Sequence, residues 1–418
     1  MIKPPPLRND CFALPAGVDW VPVDQALADL KSRISAVVGE ETCPTEAAQG
    51  RILADDIKAR RSSPPHANTA VDGYGFAGEQ AVGSGPVHLT LIQGRAAAGE
   101  PFTGTVPNGH AIRILTGAKL PEGVDTVVLQ EDVSTDRTQI AFNGPLKKRA
   151  NTRQAGEDIA EGDIILAKGR RLTSADLALL SSVGVAEVPV FKALRVGVLS
   201  TGDELCQASD VPLEGQIFDA NRPMLLALIA QFGFVPVDLG IVGDDRQALS
   251  EKLDHASQTC DVILTSGGAS SGDEDHLSAL LKDTGSMAMW RIAVKPGRPL
   301  ALGMWQGVPV FGLPGNPVAA LTCTLIFARP AMSVLAGGAW REPQGFLVPA
   351  AFEKSKKAGR REFLRARMND GAVEVFKSEG SGRVSGLSWA TGFVELSDEA
   401  QTIQTGDMVR YIPFSAFD

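Results

Sequence analysis

The chain has 418 residues, 44% of them hydrophobic and 21% charged, which is ordinary for a folded protein and more than one hydrophobic core usually supports. Its net charge of −9 argues against a general nucleic-acid-binding surface. Five scattered cysteines without a C-x-x-C pair argue against a disulfide framework and a structural zinc site. No signal peptide is evident, and the longest apolar stretch, residues 319–335, is broken by polar residues, so no membrane span is expected. Two to four domains in a reducing, cytoplasmic setting are therefore expected.

The first predicted element is a helix over residues 23–37, where apolar residues recur at helical spacing and Asp24 is placed to cap the start. Residues 51–149 contain short β-rich runs punctuated by glycine and proline, which predict strands without a long helix. Thr173 and Asp176 then form a capping-box pattern, so a helix is expected to begin there.

From residue 192 the predicted strands alternate with helices. Strands are expected at RVGVLS, VPVDLGIV and DVILTSG, with helices over residues 222–232 and 246–259, another near Asp275 and a long one from Pro317. This alternation predicts a mostly parallel sheet covered on both faces, with ligands at the carboxyl ends of its strands. Beyond residue 339 short strands return, and a small β-barrel or sandwich is expected.

Two glycine-containing loops follow predicted strands of this α/β region. The first holds Thr201, Gly202 and Glu204, and by itself it is equally compatible with a simple turn after a strand. The second, residues 266–272, exposes backbone amides toward an anion and is followed by three acids. Asp273 and Glu274 most simply complement a helix dipole, but carboxylates beside a phosphate cradle also indicate an intervening cation of the Mg²⁺ type.

Two further loops carry cations and a helix start. Lys295 and Arg298 lie in a proline-flanked turn four residues after Arg291; alone this would be a surface turn, but beside the glycine-rich loops it is interpreted as a phosphate clamp. In residues 312–317, Asn316 suits the N-cap and Pro317 the first helical position, so free amides point outward. In the N-terminal half, the segments 68–75, 115–118 and 156–158 are each, in isolation, simple turns.

Taken together, these motifs resemble the molybdopterin molybdenumtransferase family, which includes MoeA and the gephyrin E domain. The matching motifs follow one another in order: NTAVDGYGF, ILTGAKLPEGVDTVV, NTRQAGEDI, STGDEL, GQIFDANRPML, GIVGDD, SGGASSGDED, IAVKPGRP, FGLPGNPVAA and GRREFLRAR. The resemblance implies insertion of molybdate into the dithiolene of adenylylated molybdopterin, with Mg²⁺ assistance and release of AMP. It also implies an elongated homodimer whose cleft lies where the α/β domain faces the Asp72/Thr116 domain of the partner subunit.

The resemblance also implies site residues. The expected catalytic residues are Asp72, Thr116, Asp158, Glu204 and Lys295. The expected substrate-binding residues are Thr201, Gly202, Gly267, Gly268, Ser270, Arg291, Arg298, Pro314, Gly315, Asn316 and Pro317. Asp244 and Asp275 are the expected Mg²⁺ ligands. Arg291, Arg298, Ala269 and Gly75 depart from the usual lysines, valine and alanine; the two arginines keep the charge, but arginine cannot donate its proton as lysine can.

The expected architecture is a multidomain α/β protein with a central, mostly parallel α/β domain resembling molybdopterin-binding domains, β-rich N-terminal domains and a small C-terminal β-barrel. Its expected bounds are 18–54 with 150–191 for a linker and dimer domain, 55–149 for an inserted β-rich domain, 192–338 for the α/β domain and 339–418 for the barrel. Expected partners are adenylyl-molybdopterin, molybdate, and transiently the molybdopterin adenylyltransferase and acceptor molybdoenzymes, but neither nucleic acid nor membrane.

Two alternatives stay open at this point. One is a paralogue that inserts tungstate or acts on another nucleotidylated pterin, because the contacts that select the oxyanion are not readable from the motifs. The other is a non-catalytic carrier or scaffold, which the presence of Asp275 and the Lys295 loop disfavours. A Rossmann dehydrogenase is disfavoured because no G-x-G-x-x-G follows a strand.

Overall fold

The computed structural model of the chain describes residues 20–267, 276–283, 288–297, 299–380 and 382–418. The chain forms two compact units: one spans Glu41–Val190, and the other combines the residues up to Glu40 with Phe191–Asp418. The expected division into four domains stays a prediction.

The first helix is shorter than the sequence predicts. It is α1 (Val23–Arg33), and the backbone becomes extended at Ile34. The expected cap by Asp24 is wrong, because Pro22 is the N-cap residue and makes no side-chain capping bond. The carboxylate of Asp24 instead accepts hydrogen bonds of 2.7 and 2.8 Å from the largely buried guanidinium of Arg361, a stronger, charge-assisted partner than a backbone amide.

The unit Glu41–Val190 is built almost entirely from strands. They are β1 (Glu40–Pro44), β2 (Ile57–Lys58), β3 (Asn68–Thr69), β4 (Gly73–Phe76), β5 (Gly85–Ala96), β6 (His110–Ile114), β7 (Thr126–Leu129), β8 (Ser134–Thr135), β9 (Gln139–Gly144), β10 (Thr152–Arg153), β11 (Ile164–Leu166) and β12 (Glu187–Phe191). Short 3-10 helices cover Thr45–Ala47, Gly78–Ala81 and Gln130–Asp132. The main sheet has the order β7-β4-β6-β5-β9-β8. The β-rich character expected from the sequence is confirmed.

Among the described residues, the two largest hydrophobic clusters of this unit lie in different places. One lies under the main sheet around Phe76, Leu89 and Phe142. The other packs around Leu180 of α2 (Ser174–Ser182). This helix begins with the capping box that the sequence predicts, in which Thr173 and Asp176 each bond the backbone of the other.

The second unit contains the α/β region and the C-terminal strands. Its strands are β13 (Arg195–Thr201), β14 (Leu205–Cys206), β15 (Ile217–Phe218), β16 (Val235–Val242), β17 (Val262–Ser266), β18 (Ala288–Arg291), β19 (Val294–Lys295), β20 (Pro299–Trp305), β21 (Val308–Leu313), β22 (Phe346–Pro349), β23 (Lys354–Lys356), β24 (Arg361–Asn369), β25 (Ala372–Val375), β26 (Gly392–Leu396), β27 (Gln401–Ile403) and β28 (Met408–Pro413). Its further helices are α3 (Asn221–Gln231), α4 (Arg246–Thr259), α5 (His276–Asp283), α6 (Pro317–Cys323), α7 (Arg329–Leu335) and α8 (Ser385–Trp389), with a terminal 3-10 turn, Phe414–Phe417.

The α/β region is a sheet of order β16-β13-β17-β21-β20-β18. The first four strands run parallel, β20 is antiparallel to them, and β18, antiparallel to β20, runs in the direction of the first four. From β13 the chain passes through α3 to β16 on one side, then through α4 to β17 on the other side of β13. Such a reversal of strand order opens a ligand crevice at the carboxyl ends of the strands. The expected α/β architecture is confirmed.

A long helical segment follows β21. It consists of α6, a π-helical turn over Thr324–Ala328 and α7, which contains Pro330. Over Pro317–Leu335 its length and mean hydropathy of 1.7 would suffice to cross a membrane, but 94% of it is buried within the structure. The segment is therefore a core helix of this unit.

The C-terminal strands close into a barrel. The order is β24-β26-β28-β22, β25 pairs with β24, and a bridge between Ala350 and Val373 joins the β22 end to β25. The short strand β19 leaves the α/β region and pairs in parallel with β24, so that Lys295 is the register partner of Glu362. The turn that the sequence placed between two strands thus joins the α/β region to the barrel.

Candidate functional site

The carboxyl ends of the parallel strands bring the predicted loops together. Thr201 pairs in register with Val242, and Ser266 with Ser200 and Leu313. The residues that follow each of these strand ends are therefore neighbours along one edge of the sheet.

Two of these loops require glycine at their turning points. Gly202 has φ 143° and Gly267 has φ 99°. A Cβ atom on Gly267 would lie 2.5 Å from the Thr201 carbonyl oxygen, and one on Gly315 would lie 3.6 Å from the Gly267 Cα atom. Only glycine allows the backbone at position 267 to pass so close to the Thr201 carbonyl, whereas the distance at Gly315 is an ordinary van der Waals contact.

Asn221 is a site residue that sequence reasoning missed. Its side-chain Nδ2 donates to Ser266 Oγ at 2.6 Å and to the Gly315 carbonyl at 2.7 Å, so it ties two of the loops together from the start of α3. It lies in the quoted GQIFDANRPML motif, but nothing local distinguishes it from other helix-start residues.

Four buried polar atoms at this edge have no hydrogen-bond partner among the described residues: Asn221 Oδ1, Ser200 Oγ, Thr201 Oγ1 and Thr265 Oγ1. Buried polar atoms usually have partners, so this edge suits a polar ligand.

Asp244 is paired with a second acid. The Asp244 N–H donates to Asp203 Oδ1 at 3.0 Å, and the Asp203 N–H donates to Asp244 Oδ2 at 3.4 Å. These reciprocal bonds fix two carboxylates at the ends of β13 and β16, beside the exposed Glu204. Carboxylate oxygens are the ligands Mg²⁺ prefers, so the donor set fits that ion. In the part of the chain that the structure describes, no group of three potential ligands is assembled.

The fourth loop has the predicted helix start. Asn316 caps α6 by accepting hydrogen bonds from the amides of Val318 and Ala319, and Pro317 occupies the first turn. Pro314 lies against the Gly297 turn, since a Cβ on Gly297 would be 3.9 Å from Pro314 Cγ and 3.0 Å from the sulfur of buried Cys323. The expected clamp and the expected phosphate loop are therefore adjacent.

Lys295 belongs to a compact cluster of charges. Its Nζ donates to Glu379 Oε2 at 2.6 Å and lies 3.4 Å from Glu362 Oε1. Lys354 Nζ lies 3.2 Å from Glu362 Oε2 and also contacts Glu379 Oε1. Burial by itself raises the pKa of Glu379, but the hydrogen bonds from the two lysines outweigh it and hold this pKa below its ordinary value.

This cluster forms one wall of a cavity of about 190 Å³, here called the basic pocket. Its charged lining residues in the described part of the chain are Lys295, Lys354, Arg365, Lys377, Glu353 and Glu379, a net charge of +2. Val318, in the first turn of α6, also lines it. The pocket therefore lies next to the Asn316 loop and suits a small dianion.

Arg365 is a buried cation of the basic pocket and was not selected from the sequence. It is 5% exposed, and its guanidinium donates to the carbonyls of Arg383, Ser378 and Gly380. It also lies 4.8 Å from the centre of the Phe376 ring. Burial lowers its pKa, and no carboxylate pairs with it among the described residues. A buried guanidinium held only by neutral carbonyls favours an anion nearby.

The unit Glu41–Val190 contributes its own candidate pair. The backbone N–H and the hydroxyl of Thr116 donate to Asp72 Oδ1 at 2.7 and 2.6 Å. These two bonds, hydroxyl first, lower the pKa of Asp72, and the charge of Arg113 adds to the effect. Asp158 is exposed in the same unit, and its N–H donates to the Ser63 carbonyl rather than to this pair.

Several expected site residues have no described surroundings. Gly268, Ser270, Asp275 and Arg298 lie outside the described residues. For Arg291 the structure gives the backbone, which pairs with Pro299 at the edge of the sheet. Their roles stay predictions.

Comparison with known protein families divides the chain into three consecutive parts. Three family models match consecutive parts of the chain: the MoeA N-terminal region (domain I and II) over residues 21–184, the probable molybdopterin binding domain over 197–333, and the MoeA C-terminal region (domain IV) over 348–414.

Full-length relatives agree. The molybdopterin molybdenumtransferase of Haemophilus influenzae is 35% identical over 401 residues, covering 94% of this chain and 98% of the relative. Molybdopterin molybdenumtransferase 2 of Mycobacterium tuberculosis is 30% identical over 385 residues, covering 88% and 94%. The crystal structure of a molybdopterin biosynthesis MoeA protein from Pyrococcus horikoshii superimposes with a TM-score of 0.83 at 29% identity, covering 95% of this chain and 100% of that one. The chain therefore belongs to the MoeA family of molybdopterin molybdenumtransferases.

Proposed function

We propose that this protein inserts molybdenum from molybdate into adenylylated molybdopterin, giving the molybdenum cofactor and AMP. The observation that carries this proposal is the basic pocket. Four cationic side chains line this pocket against two carboxylates, which suits an oxyanion such as molybdate, and the pocket adjoins the loops that suit a phosphate-bearing ligand.

The basic pocket would bind molybdate through its cations. Lys295, Lys354 and Arg365 lie along its wall, and each can donate hydrogen bonds to the oxygens of a tetrahedral dianion. Such a ligand would also compensate the buried charge of Arg365, which the carbonyl oxygens around it do not neutralise.

The phosphate-bearing pterin would lie along the sheet edge. The glycine turns at Gly202 and Gly267 and the positive end of the α6 helix dipole would lie beside its phosphate oxygens. The unpartnered hydroxyls of Ser200 and Thr265 and the Asn221 carbonyl oxygen offer further polar contacts. Molybdate and the pterin would thus meet where Val318 lines the basic pocket.

Asp203 and Asp244 would hold Mg²⁺, with Asp275 as the further ligand that the sequence predicts. The ion would supply charge neutralisation at the phosphate oxygens when bound. We further propose that Glu204, Asp72, Thr116 and Asp158 orient molybdate or water, or deliver protons as oxo groups leave.

A homodimer in the cytoplasm is part of the same proposal. So are transient contacts with the molybdopterin adenylyltransferase and with acceptor molybdoenzymes. Sedimentation and pull-down measurements on the purified chain test these parts separately from the chemistry.

The direct test is turnover. Purified protein with adenylylated molybdopterin, molybdate and Mg²⁺ is expected to release AMP and to activate a cofactor-free molybdoenzyme. Asp244→Asn and Lys295→Ala are each expected to lower the rate by at least about 100-fold, the scale of losing one preorganised charge at a reacting phosphate.

Asp245→Asn is the matched control for Asp244→Asn. Asp245 caps α4 by accepting from Ala248, and asparagine caps equally well, so the control should retain turnover. Binding of both substrates without AMP release would contradict the transferase and favour a carrier. Turnover with tungstate but not with molybdate would favour the tungstate paralogue.

A further inference from the structure

Two carboxylates hold the lysines of the basic pocket, but they differ in exposure. The side chain of Glu379 is 48% exposed, whereas those of Lys295, Lys354 and Glu362 are 17%, 11% and 11% exposed. Glu362 is fixed in β24 as the register partner of Lys295. Glu379 lies beyond the end of β25, on the solvent side of both lysines. Of the two acids, Glu379 therefore has more room to move its carboxylate into solvent.

Glu379 presents its two oxygens as an oxyanion would. One oxygen accepts from Lys295 at 2.6 Å, and the other contacts Lys354. The same carboxylate lines the basic pocket together with Arg365, so it occupies space that a bound dianion needs. Two charge-assisted bonds are strong enough to exclude weakly bound single-charged ions, but a dianion with more oxygens can compete.

We propose that Glu379 is an internal substitute for the oxyanion: it neutralises Lys295 and Lys354, and molybdate binds by displacing it into solvent. This inference rests on the proposed function, because it assumes that the basic pocket binds molybdate. It makes Glu379 a residue that tunes affinity and selectivity, since part of the interaction energy of the incoming anion is used to break the two lysine contacts.

The test is calorimetric titration of sodium molybdate into the full-length protein. Glu379→Gln removes the competing charge but keeps the shape, so this variant is expected to bind molybdate about tenfold more tightly than the wild type. Glu353→Gln is the matched control, because Glu353 lines the same pocket and makes no ion pair among the described residues. It should change the affinity much less, which separates displacement from a general gain in positive charge.

Glu379→Asp provides a second variant that keeps the charge. Its side chain is one methylene shorter and cannot reach both lysines, so an affinity between those of the wild type and Glu379→Gln is expected. If the wild type binds molybdate and neither variant binds it more tightly, displacement is wrong and the proposed function stands. If no protein of the series binds molybdate, the molybdate site is wrong and the inference falls with it.

Discussion

Hydrogen-bond donors beside a single side chain shift its pKa in this protein, as Asp72 shows. Its carboxylate accepts two hydrogen bonds from Thr116, and these lower its pKa from an ordinary value near 3.8. Thr116→Val removes the hydroxyl donor but keeps the backbone N–H. The pKa of Asp72 is therefore expected to rise part of the way back, which a carbon-detected NMR titration of its carboxyl group would measure.

The same bonds link stability to pH. Because the folded-state pKa is below the unfolded one, their stabilisation is fully present above about pH 4 and is lost as the pH falls through the folded-state pKa. Thr116→Val should thus be less stable than the wild type at neutral pH, and the difference should shrink below pH 4. An unchanged pKa of Asp72 in the variant would show that the hydroxyl does not tune it.

Asn221 offers a second prediction at the residue scale. Asn221→Ala removes donors to Ser266 and Gly315 from a side chain that is 6% exposed. Losing a buried donor to these acceptors should lower the free energy of unfolding by about 1–3 kcal/mol. Urea denaturation would measure this loss of unfolding free energy, and Asn143→Ala, at an exposed position, is the control. Equal losses in both variants would mean that the hydrogen bonds from Asn221 to Ser266 and Gly315 contribute nothing to stability.

The site residues that could be predicted from the sequence are those whose roles depend on residues adjacent to them in the chain. Gly267 and Asn316 were predictable because a strand, a tight turn and a helix start constrain a few consecutive residues. Asp203, Asn221, Lys354 and Arg365 were not selected, because their importance arises from neighbours that are distant along the chain. Glu379 shows the limit most clearly: it lies 84 positions from the lysine it binds.

Among the secondary-structure elements, α6 is the one whose start matters most for the site. Asn316 accepts from two backbone amides of its first turn. Asn316→Ala should cost about 1 kcal/mol of stability, whereas Asn316→Ser should cost only a few tenths, because serine is also a good N-cap. Thermal unfolding of the two variants compares them directly; equal losses would indicate that the amide packs rather than caps.

Helical and strand periodicity predicted most elements of the α/β region, because burial on a sheet or helix face leaves a repeating pattern. The predicted cap of α1 was wrong for a different reason: the partner of Asp24 lies 337 positions away. The segment Pro317–Leu335 shows the complementary case. The polar residues within it argue against a membrane span from the sequence alone, and its 94% burial in the structure agrees with that expectation. The π-helical turn before Pro330 accommodates a residue that cannot donate a backbone hydrogen bond.

At the scale of the whole molecule, one unit is formed by a continuous segment of the chain and the other by two separate segments. Glu41–Val190 is one continuous segment, and the core residues around Leu180 and around Phe76 all come from within it. A fragment of residues 41–190 is therefore expected to fold by itself. Far-ultraviolet circular dichroism should show β structure and one cooperative urea transition; a gradual, non-cooperative loss would contradict independence.

The position of Cys323 beneath the Gly297 turn has a practical consequence. Burial raises the pKa of this thiol to about 12, and only a thiolate reacts readily with maleimides. The helix α6 therefore carries an intrinsic probe: Cys323 should be alkylated slowly, and faster if the turn that bears Lys295 moves away from it. The rate of its modification, followed by mass spectrometry with and without molybdate, would time that movement in the unlabelled protein.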